Sequence, residues 1–328
     1  MGVAGDEVSA DALWYVGPGR AEIREERLKP LTSGKVRVRA LYGAISRGTE
    51  ALIAAGRVPV SEYQRMRAPF MAGNFPFPVK YGYSTIGRVE AGPEELIGRN
   101  VFALHPHQNL FDVPEDFAVP VPAEIKLSRA VMAANMETAL NATWDAAPGP
   151  FGRIAVIGAG VVGALVAFLC ARMDGTEVTL VDIDRSREAV AAALGVGFAT
   201  PDQAPADCDF VFHTSASAEG LTTALNIAAE EAPIIELSWY GSGIVAVPLG
   251  GAFHSRRLKI VSSQVGKVAP SQRATFTHRQ RLEAAIKLTA HPHLDALITP
   301  AVSFRELPNV LPDILKPKSG VLCQLISY

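Results

Sequence analysis

Cysteine is scarce: Cys170, Cys208 and Cys323 are the only three in 328 residues. They lie far apart and form no C-x-x-C pair, which argues against a disulfide framework and against a cysteine-rich zinc site. An excess of one charge is missing too. Lys and Arg number 31 against 33 Asp and Glu, a formal net charge of −2. Nothing electrostatic therefore calls for nucleic acid or an anionic membrane as partner. No apolar run reaches membrane-spanning length. The start, MGVAGDEVSADALW, is acidic and polar, unlike a signal peptide, and lacks the Ser or Thr at its sixth position that a myristoylation signal carries. A cytoplasmic protein is the default expectation. Internal repeats and low-complexity tracts are absent.

What is present is an ordinary globular balance, 48% hydrophobic and 20% charged. The chain is longer than one core usually serves, so two domains are expected. The first part reads as β-rich: KVRVRALYGAI (35–45) alternates, and GRNVFALH (98–105) and NLFDVP (109–114) are short strand candidates between turn residues. SRAVMAANMETALNATWDAA (128–147) has helical spacing, with Ser128 as its candidate N-cap. From Arg153 strands and helices alternate. RIAVIG, EVTLVD, CDFVFHTS, APIIELSW and RLKIVSSQ are strand candidates, and the helical segments between them imply a parallel sheet. HRQRLEAAIKLTA (278–290) is a further helix, and GVLCQLISY ends the chain as a strand.

The sharpest motif lies in RIAVIGAGVVGALVA. Gly158, Gly160 and Gly163, with Val161 and Val162 between the last two, make G-x-G-x-x-G after an apolar strand and at the start of a helix. Gly158 permits the tight turn, Gly160 lets a pyrophosphate approach the backbone, and Gly163 lets the helix pack close on the strand. The helix N-terminus offers free N–H groups to the phosphates. Asp182, 19 positions after Gly163, ends the next strand, where a carboxylate accepts hydrogen bonds from a ribose diol and repels a 2′-phosphate. That favours NAD(H) over NADP(H), with Arg185 and Arg187 close enough in sequence to soften the preference.

A β-rich start, a dinucleotide fold in mid-chain and a return segment resemble the medium-chain dehydrogenase/reductase superfamily over nearly the whole chain. GRNVFAL resembles a strand of the family's first domain, and METALNATWDA the helix before its cofactor domain. The resemblance implies a Rossmann doubly wound parallel sheet inserted in a β-rich GroES-like catalytic domain. The boundaries are 1–125 plus 271–328 for the catalytic domain and 126–270 for the cofactor domain, with the active site in the cleft. Zinc members carry G-H-E-x-x-G-x-V. The stretch here is GYSTIGRV, with Tyr83 for the metal-binding His and Ser84 for the Glu between the retained Gly82 and Gly87. Ser46 or Arg47 stands at the first ligand's place and Ala134 at the third. The resemblance thus implies a site without zinc. The loop ISRGTEALIAAGRVP (45–59) resembles the zinc-free branch that includes bacteriochlorophyllide hydroxyethyl dehydrogenases.

Without a metal, charge building on a carbonyl oxygen needs oriented donors or a general acid. Tyr83 is the candidate, with Ser46, Thr49 and Glu50 as relay residues on the facing loop; Lys80 or Arg47 would lower its pKa if close. The alternative is that Tyr83 only fills the space a metal left. The cofactor-binding candidates are the glycine loop, Asp182, Arg47, Thr214, Ser215, Ser238 and Trp239, with His213 and Tyr240 beside them. The His-x-His pairs at 105–107 and 291–293 read as loop histidines beside proline, and Glu137 as an exposed helical glutamate. The basic runs 254–259 and 271–281 are candidates to greet an acidic substrate. The leading expectation is an NAD(H)-dependent, zinc-free oxidoreductase acting on a hydroxyl/carbonyl pair of a small molecule. It would be a homodimer, with 257–264 as a candidate edge. An NADPH-dependent quinone or enoyl reductase and an NAD(H)-binding sensor without turnover remain the alternatives.

Overall fold

The computed structural model describes residues 7–317 and 319–328. The first six positions of the stretch read above for targeting signals lie outside the described residues. Along the chain, β1 (Val8–Gly17) and β2 (Arg20–Leu28) form an antiparallel hairpin. β3 (Lys35–Ile45) follows, and α1 (Arg47–Ala54) starts at its end. Then come β4 (Ala72–Gly73), β5 (Val79–Lys80), β6 (Thr85–Ala91), β7 (Asn100–Ala103), β8 (Leu110–Pro114) and β9 (Val119–Pro120). Helices α2 (Leu127–Ala130) and α3 (Ala133–Ala146) lead to β10 (Arg153–Ile157), α4 (Val161–Cys170) and β11 (Glu177–Val181). Next are α5 (Glu188–Leu194), β12 (Gly197–Ala199), β13 (Phe210–His213), α6 (Ala218–Ile227), β14 (Pro233–Glu236) and β15 (Lys259–Ser262). The chain closes with α7 (His278–Leu288), β16 (Ile298–Ser303), α8 (Leu307–Leu315) and β17 (Cys323–Ser327).

Two compact units divide these elements: residues up to Ala134 with Ile298–Tyr328, and Asn135–Leu297. The first unit is β-rich. One of its sheets runs β2-β1-β5-β4; the other runs β16-β17-β3-β6-β7-β9, with β8 also on β3. β3 shows why the alternation there reads as a strand. Val36, Val38 and Ala40 enter a core with Val89, Val101 and Phe111, while Arg37 and Arg39 on the other face pair with Asp112 and Glu90. Gly87 sits where β6 meets β3 closely: a Cβ there would lie 2.5 Å from the Arg39 carbonyl oxygen. The helix expected over 128–147 is split in two. Ser128 lies inside α2, which Lys126 caps, because residues 130–134 are buried and their packing overrides the surface periodicity.

In the second unit the described strands form a six-stranded parallel sheet in the order β12-β11-β10-β13-β14-β15. Numbered from β10, this is the 3-2-1-4-5-6 order of a doubly wound dinucleotide fold. Its strands are apolar runs because both faces are covered: Ile154, Ala155, Val156, Val211 and Phe212 are buried. Gly195, in left-handed geometry at φ 76°, ends α5 as its sequence position suggests. Residues 126–134 fall with the β-rich unit and 271–297 with the parallel-sheet unit, opposite to the expected boundaries. The second shift has a clear cause. Arg281 on α7 is buried and bonds Glu137 and Asn141 on α3, which ties that segment to the parallel-sheet unit.

Candidate functional site

The glycine loop has the geometry its motif demands. Gly158 has φ +101°, which disfavours any side chain, and a Cβ there would lie 2.8 Å from the Ser215 nitrogen. A Cβ on Gly163 would lie 2.0 Å from the Gly158 carbonyl oxygen, so this glycine permits the close contact of helix and loop. Gly160 caps α4 with nothing near its missing side chain, an open face over the N–H groups of Val161 and Val162. Asp182 turns toward the loop: Oδ2 accepts from the Ala159 N–H at 2.7 Å and Oδ1 from the Asp184 N–H at 2.8 Å. Of the neighbouring cations, Arg187 pairs with Asp184, whereas Arg185 is exposed.

Thr214 is fastened to the same loop, its hydroxyl donating to the carbonyls of Ile157 (3.0 Å) and Gly158 (2.8 Å). Ser215 is exposed beside it, and Ser238 Oγ accepts from the Ala216 N–H at 3.1 Å. Trp239 is half-buried. Thus Gly158, Gly163, Asp182, Thr214 and Ser215 gather at the carboxyl ends of β10, β11 and β13, the ligand-binding edge of such sheets.

The second cluster lies in the β-rich unit, where the first turn of α1 faces Tyr83. The Tyr83 hydroxyl donates to Ser46 Oγ at 2.6 Å, and Thr49 also bonds the phenol. The two candidates for the first ligand position part here. Ser46 meets Tyr83, while the Arg47 guanidinium donates to the carbonyls of Ile314 (2.9 Å), Val321 (2.6 Å) and Lys316 (3.1 Å). Lys80 is likewise engaged, with Glu26 at 2.7 Å and Gln108 at 2.9 Å. The lowered phenol pKa expected from these cations is corrected. Although Tyr83 keeps part of its surface exposed, burial of the hydroxyl pushes its pKa up to about 12, against the opposing hydrogen bonds from Ser46 and Thr49. The rings of Tyr81 and Tyr83 meet edge to face with centroids 6.0 Å apart, as residues sharing one side of the segment should.

Glu50, wholly buried, stands behind this pair. It accepts from the Tyr15 hydroxyl (2.6 Å) and the Ser46 N–H (2.8 Å), and His107 Nε2 lies 2.9 Å away. The loop reading of His107 therefore gives way to a buried carboxylate partner. Gly82 shows why this stretch keeps its glycine: its φ is +124°, and a Cβ would lie 2.9 Å from His107 Nε2. Ser84 donates to the Val131 carbonyl. Among the described residues, no three His, Cys, Asp or Glu side chains converge as a metal site requires.

His105 is separate. Its ring stacks on Phe111 at 3.9 Å between centroids, and burial pushes its pKa down to about 3. A histidine depressed in the fold contributes stability that is full above its unfolded pKa and is lost as pH falls toward the folded one. Thermal melts should therefore show about 3 kcal/mol of stability lost between pH 6.5 and pH 4 through this residue. His105→Gln should flatten that slope; an unchanged slope would assign the acid sensitivity to other groups.

No known family's sequence profile matches the chain, and no curated protein matches it in sequence. Solved structures match it along its length. L-idonate 5-dehydrogenase of Escherichia coli superimposes with a TM-score of 0.81 at 13% identity, covering 98% of this chain and 99% of that one. An alcohol dehydrogenase of E. coli complexed with NADH gives 0.76 at 16% identity, with 98% and 99% covered. The 2R,3R-butanediol dehydrogenase of Bacillus subtilis gives 0.74 at 15% identity, with 97% and 99% covered. The fold is the one these dehydrogenases share: a Rossmann domain inserted in a β-rich GroES-like domain.

Sequence reasoning missed several polar groups inside this fold. Glu137, read as exposed, is buried and paired with Arg281 at 3.0 Å. The basic runs are partly engaged within the chain: Arg256 donates to the Ala228 carbonyl, while Arg257 pairs with Glu231 and Arg279 with Glu283 on the surface. For Glu137, Arg256 and Arg257 the signal was weak because the partners lie far away in sequence; Arg279 and Glu283 are i,i+4 neighbours on α7. Among the described residues no helix is long and apolar enough to cross a membrane.

Proposed function

We propose that the protein is an NAD(H)-dependent oxidoreductase of the medium-chain dehydrogenase/reductase type, acting on a hydroxyl/carbonyl pair of a small molecule without a catalytic metal. The observation that carries the reading is the loop Gly158–Gly163 with the Asp182 carboxylate held against it. The residues fit such a cofactor. Gly160 leaves an open approach, the first turn of α4 supplies N–H donors for a pyrophosphate, and Asp182 keeps lone pairs for a ribose diol. Thr214 holds the loop in shape from below. Bound there, a nicotinamide would supply or accept the hydride.

The metal-free part rests on the side chains that stand where the resemblance puts zinc ligands. Ser46, Tyr83 and Ala134 offer two neutral hydroxyls and a methyl, a poor donor set for zinc. With substrate bound, Tyr83 would turn its one hydroxyl proton from Ser46 Oγ to the oxygen on which charge builds, the Ser46 and Thr49 hydroxyls would then donate to the phenol oxygen, and Glu50 would fix the Ser46 backbone. Kinship with the zinc-free branch suggested by residues 45–59 belongs to this reading. So does a homodimer joined along β15, the strand that ends the parallel sheet.

The test is thermal stabilisation by each cofactor. NADH at about 100 times its Kd should stabilise the protein by about 2.7 kcal/mol. NADPH at the same concentration should do much less, and Asp182→Ser should shrink the difference. Equal stabilisation by both cofactors would sink the role given to Asp182.

A further inference from the structure

Beside the glycine loop, three side chains stand in a line that nucleotide binding alone does not explain. His213 and Glu236 are register partners at the ends of adjacent parallel strands, β13 and β14. His213 Nδ1 lies 2.7 Å from Glu236 Oε2, and its Nε2 lies 2.7 Å from Ser215 Oγ. His213 is wholly buried, whereas Ser215 is exposed, so the line runs from a sheltered carboxylate to a hydroxyl open to solvent.

Each member is held. Glu236 Oε1 accepts from the Ser238 N–H at 2.7 Å and Oε2 from the Tyr240 hydroxyl at 3.1 Å. Burial opposes its ionisation, but the His213 and Ser238 hydrogen bonds outweigh that and keep the carboxyl below its ordinary value. A carboxylate accepting at Nδ1 fixes the imidazole proton there and leaves the Nε2 lone pair toward Ser215. The hydroxyls of Ser238 and Tyr240, each 3.3 Å from Nδ1, also crowd that side of the ring. Ser217 Oγ lies 3.0 Å from Ser215 Oγ and accepts from the Gly220 N–H. A Cβ on Gly220 would lie 2.2 Å from Ser215 Oγ and 2.8 Å from His213 Nε2. The serine oxygen therefore rests against the first turn of α6, whose Ala218 and Glu219 N–H groups helix geometry leaves without an intrahelical acceptor.

We propose that Ser215 is a second reactive centre, a nucleophile that takes small acyl esters, with His213 as its general base and Glu236 as the carboxylate that orients the base. Ser215 Oγ bonds to the acyl carbon as its proton passes to His213 Nε2. The bond from that carbon to the leaving oxygen breaks, and the departing alcohol takes the proton. Water then adds to the acyl-serine by the same route, releasing the acid and restoring Ser215. The N–H groups of the first turn of α6 would be the donors for the tetrahedral oxyanion.

The test uses the full chain with a fluorophosphonate probe and, separately, p-nitrophenyl acetate. One covalent adduct per chain is expected, mapping to the Ser215 peptide and abolished in Ser215→Ala. His213→Gln should slow labelling about 100-fold, the scale of a lost general base. Glu236→Gln should slow it by about 100-fold or more, because an amide facing Nδ1 favours the other imidazole tautomer and removes the Nε2 lone pair from Ser215. Melting curves would establish that each variant is folded, and Glu236→Gln carries the test if the buried His213 does not tolerate replacement. The proposal is overturned if Ser215 stays unlabelled while a serine hydrolase in the same tube reacts fully. It is equally overturned if the adduct survives Ser215→Ala, or if both relay variants label at the wild-type rate.

Discussion

Tyr83→Phe should lower kcat/KM for carbonyl reduction by about 100- to 1,000-fold, the loss seen when one oriented donor to a developing oxyanion is removed. The phenol is held by Ser46 at 2.6 Å and by Thr49, so it is positioned before any substrate arrives. Its pKa of about 12 means that it stays protonated across the working range. On the proposed reading it would therefore act as a hydrogen-bond donor, and no loss of activity from its ionisation should appear as pH rises to 10. Phenylalanine keeps the ring that packs against Tyr81, so the variant should melt close to wild type. Measurement is by steady-state kinetics on a panel of aldehydes and ketones, with the metal content of the same preparation determined alongside. Full activity in Tyr83→Phe would make the residue a space-filler, and activity that depends on stoichiometric zinc would sink the metal-free mechanism.

Arg281→Ala should cost about 3–5 kcal/mol of stability, the scale for breaking a buried ion pair from one side. Arg281 is 1% exposed and Glu137 5%. The guanidinium donates to Glu137 at 3.0 Å, to Asn141 Oδ1 at 2.5 Å, and to the carbonyls of Lys267 and Val265. Removing it strands the buried Glu137 carboxylate and takes a donor from the buried Asn141 amide. Burial already raises the Glu137 pKa, with Arg281 opposing that rise, so the variant's Glu137 should titrate higher still. A carboxyl raised in the fold contributes stability that is present at acid pH and lost as pH rises. The deficit of Arg281→Ala should accordingly be smallest near pH 4.5 and grow toward neutrality, while Glu137→Gln should lose the pH dependence. Thermal melts across pH would show this; a deficit under about 1 kcal/mol would mean that water reaches the site.

The parts of this protein written in local patterns were legible. Alternation in KVRVRALYGAI named β3, continuous apolar runs named the parallel strands, and the spacing of Gly158, Gly160 and Gly163 named the loop between β10 and α4. Each depends on neighbours within a turn or a pleat. Ser128 was misplaced as a helix cap because burial of residues 130–134 outweighs local propensity. Arg47 and Lys80 looked free to tune Tyr83, yet their partners, at 314–321 for one and at Glu26 and Gln108 for the other, lie far off in sequence.

The stretch YGYSTIG holds both kinds of information. Its residue types alone determined that a phenol and a hydroxyl stand between two glycines; that a metal motif would place His and Glu there is what the resemblance implies. Only the tertiary structure decided what the glycines are for: a side chain on Gly82 would collide with the His107 ring, and Gly87 lets β6 approach β3. Likewise, only folding brought Ser46 and Thr49 to Tyr83, and Tyr15 and His107 to Glu50. Local patterning fixes backbone form through short-range sterics and hydrophobic period. The pairing of buried polar groups is set by which distant segments the core presses together, and single-chain spacing carries no record of it.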